Sequence, residues 1–153
     1  MNELAPAERM AGFFNSFGPD QLDRVDELYA PDAVFEDPLN KGEGRAHIRA
    51  VFEDTCKQLK NISINVTDTL PAPDNRSAFI RWQMQYRFRG KSFDIPGVTH
   101  LHFDEHGAIT SQRDFWDASL PVYGEFPPIG FFMKRIKKFI AVKPPASPSS
   151  SSS

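Results

Sequence analysis

Apolar residues recur at helical spacing in three segments before residue 60, and this pattern predicts three N-terminal helices. The first series starts at Leu4 and ends with Phe17, and the second follows Pro19, which suits the first turn of a helix. Pro31 ends the second helix, because proline removes a backbone donor and biases the preceding residue toward extended conformations. The predicted third helix carries one side formed by Ile48, Val51, Phe52, Thr55, Cys56 and Leu59.

After Lys60 the apolar period changes from about 3.6 to 2, which indicates a passage from helices to strands. The clearest alternation, over residues 78–89, sets large apolar side chains against arginine and glutamine. Arg89-Gly90-Lys91 predicts a hairpin turn into a strand over 92–104, with a bulge at Pro96-Gly97. After a turn at 104–107, a last strand is predicted over 108–117.

Three helices followed by a meander of long strands predict the α+β class, with the helices packed on one face of a curved antiparallel sheet. We expect this domain to cover residues 1–120. Residues 121–142 are expected to form a loop and a basic amphipathic helix, and the Pro/Ser-rich residues 143–153 hold too few apolar side chains to order themselves.

Charge is unevenly distributed along the chain and excludes one class of partner. The net charge is −2, but all 20 acidic residues lie at or before Glu125, while five of the 18 lysines and arginines follow it. An acidic main domain repels nucleic acid, so nucleic acid is not an expected partner. The single cysteine, Cys56, and an N-terminus without an uninterrupted apolar stretch lead us to expect a cytoplasmic protein.

Two stretches resemble the bacterial ketosteroid isomerases. Residues 28–52, LYAPDAVFEDPLNKGEGRAHIRAVF, contain a tyrosine ending the second helix, a strand ending in Glu-Asp-Pro, and Gly-Arg opening the third helix. Residues 103–109, FDEHGAI, are similar to a turn in the same enzymes. The chain is therefore identified as a member of the nuclear transport factor 2-like and SnoaL-like superfamily over residues 1–117. The resemblance implies a cone-shaped sheet whose closed end holds a mostly apolar pocket.

The resemblance also places catalytic residues. Asp37, in the Glu-Asp-Pro motif, corresponds to the general base that moves a proton between carbon atoms of the steroid. The two oxyanion donors of the isomerase, a tyrosine and a protonated aspartic acid, fall on Phe13 and Thr99. Because both donors are replaced, steroid isomerisation itself is not expected. No cofactor is implied.

Asp114 is the second candidate carboxylate. Trp116 matches a pocket tryptophan of the isomerases, and a strand's period of 2 turns Asp114 to the same side. Polar residues on late strands of SnoaL-like cyclases and scytalone dehydratase take part in proton transfer, which the resemblance implies for Asp114. Each carboxylate has an ordinary alternative: turn chemistry before Pro38 for Asp37, and an ion pair with an arginine across the sheet for Asp114.

A small hydrophobic molecule is the ligand expected in such a pocket. The apolar side chains would line it only if the cone is hollow, and otherwise they form an ordinary core. The residues predicted to contact the substrate are Phe13, Phe35, Phe52, Trp82, Met84, Tyr86, Thr99, Leu101 and Trp116.

Alternating histidines can hold a metal, and His100 and His102 share one strand face with Asp104. That face points away from the cavity if Thr99 and Leu101 point into it. We therefore expect no metal site.

The segment that begins at Ile129 and ends at Val142 has the spacing of a basic amphipathic helix, with Lys134, Arg135 and further lysines beside phenylalanines and isoleucines. Two interpretations are open. The helix packs over the cone or on a partner subunit with its lysines in water, or it makes a weak contact with an anionic membrane surface.

Two functions remain open from the sequence. One is a cofactor-independent isomerase, cyclase or dehydratase of a small hydrophobic substrate, with Asp37 as general base and Asp114 as the second acid or base. The other is a non-catalytic protein that binds a hydrophobic ligand or acts as a homodimeric scaffold through its sheets.

Overall fold

The computed structural model describes residues 3–119, 121, 123–125 and 127–142. The chain divides into two compact units, with the boundary between Asp117 and Ala118. The predicted domain bounds stay a prediction. The predicted tail, 143–153, lies outside the described residues. No helix in the part of the chain that the structure describes is long and apolar enough to cross a bilayer.

The first unit begins with the helical region that the apolar spacing predicts. Its second helix is largely of the 3₁₀ type and ends at Leu28, since Pro31 biases Ala30 toward the extended conformation and the strand has begun by then. The helices are α1 (Pro6–Asn15), the 3₁₀ helix Pro19–Arg24 that runs into α2 (Val25–Leu28), and α3 (Arg45–Gln58).

Six strands form one sheet in the first unit, and they confirm the α+β class. The strands are β1 (Tyr29–Glu36), β2 (Lys41–Glu43), β3 (Lys60–Pro71), β4 (Ser77–Phe88), β5 (Lys91–Phe103) and β6 (Ile109–Phe115), in the spatial order β2-β1-β6-β5-β4-β3. β1 pairs with β6 in parallel and the other neighbours are antiparallel, so the sheet is mixed. Alternation along a strand fixes its inward face but not the direction of its neighbour.

The alternation predicted for β4 and β5 is present. Ile80 and Trp82 of β4 and Leu101 of β5 are buried, whereas Phe79 and Arg81 lie on the outer face. The buried faces of α1 and α3 join the inward strand residues in one hydrophobic core. The ring of Phe52 is its aromatic centre; the centroids of Phe13, Phe17, Tyr29 and Phe35 lie 5.6–6.4 Å from it.

The predicted bulge at Pro96-Gly97 is wrong, because β4 and β5 pair without a register shift along their full length. Gly97 is needed for a different reason. It lies opposite Trp82, and a Cβ atom at Gly97 would be 2.2 Å from Cη2 of that indole. The indole ring therefore occupies the space that any other side chain at position 97 would need.

The second unit contains the predicted C-terminal helix. A short 3₁₀ helix, Tyr123–Glu125, precedes α4 (Pro127–Ile140). Pro127 occupies the first helical position, where its missing N–H would have no intrahelical partner.

Candidate functional site

The half-buried carboxylate of Asp114 is the centre of a polar cluster on the inner face of the sheet. Asp114 lies opposite Thr99 in the pairing of β6 with β5. The Thr99 hydroxyl donates a hydrogen bond of 2.7 Å to Oδ1 of Asp114, and Nε2 of Gln112 donates one of 3.0 Å to the same oxygen. Among the described residues, no group donates to Oδ2, so one carboxylate oxygen is held and the other is left for a different partner.

Two further side chains complete what we call the Asp114 network: Trp82, Thr99, Asp114, Gln112 and Tyr29. Nε1 of Trp82 donates to the Thr99 hydroxyl over 2.9 Å, and the Tyr29 hydroxyl donates to Oε1 of Gln112. Trp82 therefore orients Thr99, and Tyr29 orients Gln112, so that both donate to Asp114. Such a network fixes the carboxylate in one position, because the two groups that donate to it are themselves held by Trp82 and Tyr29.

The environment of Asp114 makes its proton labile near neutral pH. Burial raises the pKa of Asp114 from 3.8 to about 6, against the lowering effect of the hydrogen bonds from Gln112 and Thr99. The negative charge of Asp37 raises this pKa further. Burial, together with the charge of Asp114, holds the pKa of Tyr29 well above 10, so Tyr29 stays a protonated donor.

Asp37 follows directly on the end of β1 and is half-buried. Its Oδ1 accepts hydrogen bonds from the backbone N–H groups of Leu39, at 2.7 Å, and Asn40, at 2.6 Å. The Asn40 side-chain amide also donates to this carboxylate, at 3.2 Å. The turn chemistry that the sequence left open is therefore formed. Asp37 still lies close enough to influence the charge of Asp114, and its catalytic role stays a prediction.

The alternative for Asp114, an ion pair with an arginine across the sheet, is not what the structure shows. Arg113 points outward, and its guanidinium lies 3.8 Å from the carboxylate of Glu36 on β1. Asp114 points inward to Thr99 and Gln112. The alternation of the last strand thus separates the two neighbouring side chains onto opposite faces.

The residues predicted to line a pocket fall into four groups. Phe13, Phe35 and Phe52 pack on one another in the aromatic core, while Trp82 and Thr99 belong to the Asp114 network, beside buried Leu101. Met84 and Trp116 are half-buried against the core. Tyr86 lies further along β4, stacked on Phe93 at 5.1 Å, and lines a surface cavity of about 270 Å³. Their contact with a ligand stays a prediction.

Sequence reasoning missed Tyr29 and Gln112. Gln112 is fully buried and precedes Asp114 by two residues, so the period of a strand places both on one face. A glutamine predicted on an inward strand face indicates a buried polar contact, and this signal could have identified Gln112 from the sequence. Tyr29 belongs to the motif shared with the isomerases, but only the position of Gln112 shows what its hydroxyl contacts.

His100 and His102 lie on the outer face of β5, opposite Thr99 and Leu101. The ring of His100 stacks on Phe79 with centroids 4.2 Å apart. Within the described residues, no group of three or more histidine, cysteine, aspartate or glutamate side chains is placed to hold a metal.

The chain matches the family model of the SnoaL-like domain over residues 10–112. A protein of ketosteroid isomerase-like fold from Catenulispora acidiphila, crystallised with trimethylamine, is 20% identical, with a TM-score of 0.63 over 77% of this chain and 89% of that one. SalBIII, an epoxide hydrolase/cyclase-like enzyme of pyran ring formation in salinomycin, is 22% identical, with a TM-score of 0.63 over 73% and 90%.

A third solved structure, an LEH-like epoxide hydrolase of M. tuberculosis, is 15% identical, with a TM-score of 0.61 over 74% of this chain and 84% of that one. At these identities the likeness shows a common fold and no common chemistry.

Proposed function

The chain belongs to the SnoaL-like domain family, and from this membership and the Asp114 network we propose that it is a cofactor-independent enzyme of proton transfer. Its substrate is a small hydrophobic molecule, and its reaction is an isomerisation, a cyclisation or a dehydration. The observation that carries the proposal is a half-buried carboxylate on the inner face of the sheet, whose Oδ1 accepts hydrogen bonds from Thr99 and Gln112. Desolvation at this position raises the pKa of Asp114 to about 6.

Asp114 is the acid and base of this proposal. A carboxylate with a pKa near 6 is mostly ionised at pH 7, yet it accepts a proton far more readily than an ordinary aspartate. Oδ2 takes a proton from a C–H or O–H group of the substrate. The same oxygen returns that proton to another carbon in an isomerisation, to the oxygen freed when an epoxide opens in a cyclisation, or to the departing hydroxyl, released as water, in a dehydration. The enzyme therefore regains its starting state without an oxidant or reductant.

Asp37 takes the secondary role in this proposal, although the family motif suggests it as the base. Its Oδ1 already accepts two short hydrogen bonds from the backbone of its own turn. Its contribution to the site is negative charge, which favours the protonated form of Asp114. Two neighbours of the same fold, the epoxide hydrolase/cyclase-like enzyme SalBIII and the LEH-like epoxide hydrolase of M. tuberculosis, are the precedent for placing a cyclisation among the candidate reactions.

The experiment is a turnover screen of the purified chain with three classes of hydrophobic probe: a β,γ-unsaturated cyclic ketone, a β-hydroxyketone and an epoxy-alcohol. Each class reports one of the three reactions, and product is followed by mass spectrometry and by deuterium incorporation from D₂O. Turnover of at least one class supports the proposal. Tight binding of the probes without turnover or deuterium exchange would favour the ligand-binding alternative.

A second candidate, a homodimeric scaffold, is favoured by the outer face of the sheet. Phe79, Phe115 and Leu70 are 46%, 47% and 65% exposed there. Leu70 of β3 pairs with Phe79 of β4, and Val98 of β5 pairs with Phe115 of β6, so each of these four strands carries an apolar side chain on the outer face. Exposed apolar patches of this kind mark contact surfaces. We propose that two copies of the chain pair through this face.

Phe79→Glu is expected to convert such a dimer to monomer, because it places a carboxylate at the centre of the apolar contact. Sedimentation equilibrium measures the mass. Leu39→Glu is the matched control, since Leu39 is also 47% exposed but lies in the loop between β1 and β2. A monomeric wild-type chain, or a dimer that Phe79→Glu leaves intact, would contradict pairing through this face.

A further inference from the structure

Helix α4 has one continuous apolar face that is exposed. At 3.6 residues per turn, positions 129, 132, 136, 139 and 140 fall within a single stripe. The side chains are large: Phe132 is 63% exposed, Phe139 91% and Ile140 71%. A helix that presents such a stripe to water calls for an apolar partner.

The opposite face of α4 is basic. Its cationic side chains are Lys134, Arg135, Lys137 and Lys138, and all four are exposed. No acidic residue follows Glu125 in the sequence, so the helix itself contains no compensating negative charge. Phe131 is the aromatic residue on this basic face, and the guanidinium carbon of Arg135 lies 5.4 Å from the centroid of its ring. The helix thus combines an apolar stripe with four positive charges on the other side.

We propose that α4 binds the surface of an anionic lipid bilayer, lying in the membrane plane. The apolar stripe enters the boundary between headgroups and acyl chains, and the basic face contacts the lipid phosphates. A helix of 14 residues is about 21 Å long, too short for a hydrocarbon core of about 30 Å, so it lies along the surface.

Charge selects the bilayer over a second copy of the helix. Two copies pairing through the apolar stripe would cover that face but turn both basic faces outward, and neither helix contains an acid to contact the other's cations. Anionic lipids neutralise the same charges at the membrane surface. An anionic bilayer is therefore the partner that satisfies both faces.

The test is co-sedimentation of the full chain with large vesicles of phosphatidylcholine alone or with about a third phosphatidylserine. We expect binding to the anionic vesicles at least about tenfold tighter than to the neutral ones, and a loss of binding as salt screens the charges. Equal binding to both vesicle types, or none to the anionic vesicles, would overturn the proposal.

Two sets of substitutions to glutamine separate α4 from general charge effects. Changing the four bases of α4 is expected to weaken binding to anionic vesicles at least about tenfold. The matched set changes four exposed lysines of the first unit and is expected to have no effect. The α4 set is Lys134, Arg135, Lys137 and Lys138; the control set is Lys41, Lys57, Lys60 and Lys91. Equal weakening by the two sets would contradict a role specific to α4.

Phe139→Ser is a second variant that does not threaten folding, because Phe139 is 91% exposed. It is expected to weaken vesicle binding several-fold while leaving the far-ultraviolet circular dichroism of the free chain unchanged. A variant that binds vesicles like the wild type but loses self-association in sedimentation would assign the stripe to a second copy instead, and would overturn the proposal.

Discussion

Asp114→Asn is expected to lower kcat/KM for any turned-over probe by about 10²- to 10⁴-fold, the usual contribution of a general acid or base. Asparagine preserves the shape of the side chain, and its oxygen still accepts the hydrogen bonds from Thr99 and Gln112. It cannot take up a proton at neutral pH. The loss should therefore appear in kcat, with little change in KM.

The stability of Asp114→Asn separates lost chemistry from lost structure. Because the folded pKa of Asp114, about 6, lies above the usual 3.8, the native state binds this proton more tightly than the unfolded state does. The stabilisation is fully present below pH 3.8 and is lost as pH rises through 6. At pH 7 the partly desolvated charge of Asp114 therefore costs stability, and Asp114→Asn should raise the free energy of unfolding by about 1–2 kcal/mol.

Two carboxylates serve as comparisons for Asp114. Asp32 is exposed on β1, and Asp32→Asn is expected to leave kcat/KM unchanged. Asp37→Asn is expected to cost less than Asp114→Asn, since it removes a charge beside the site and perturbs a turn. A larger loss for Asp37→Asn than for Asp114→Asn would return the role of general base to Asp37.

Gly97→Ala is expected to lower the free energy of unfolding by about 3 kcal/mol, the cost of overpacking a well-filled core. The new methyl group would lie 2.2–2.7 Å from three ring carbons of Trp82. The indole is buried and hydrogen-bonded to Thr99, so it moves only by losing both contacts. Chemical denaturation measures the change, and the same displacement should reduce turnover through Thr99.

Gly12→Ala is the matched control for Gly97→Ala. Gly12 lies inside α1, and a Cβ atom there meets nothing within 4 Å. Alanine in a helix interior is favoured over glycine by about 0.5–1 kcal/mol, so this variant should be stabilised. Equal destabilisation of the two variants, or a neutral Gly97→Ala, would contradict the packing of Trp82 over Gly97.

Periodicity predicted the order of helices and strands because burial is periodic along each element. It could not predict the parallel pairing of β1 with β6, since both pairing directions give the same alternation. Periodicity also could not predict why position 97 needs a glycine, because the reason lies on a neighbouring strand. A glycine and a proline in a strand are typical of a bulge, and only the position of Trp82 across the sheet shows that the glycine makes room for a ring.

The positions of the two site carboxylates could be predicted from the sequence, but their hydrogen-bond partners could not. The inward position of Asp114 follows from the period of β6, and the motif shared with the isomerases draws attention to Asp37. Neither reveals which carboxylate is held by inward donors and which by its own turn, because that depends on contacts between strands distant in sequence. The partnership of Tyr29 with Gln112 spans 83 positions and required the fold itself.

The most direct test is the titration of the Asp114 carboxyl group, followed by its ¹³C chemical shift and assigned through the missing signal of Asp114→Asn. The proton-transfer role predicts a midpoint at about pH 6 in the folded chain. A midpoint near 3.8 would mean that Asp114 is an ordinary hydrated carboxylate. That result would contradict its assignment as the acid and base of the site.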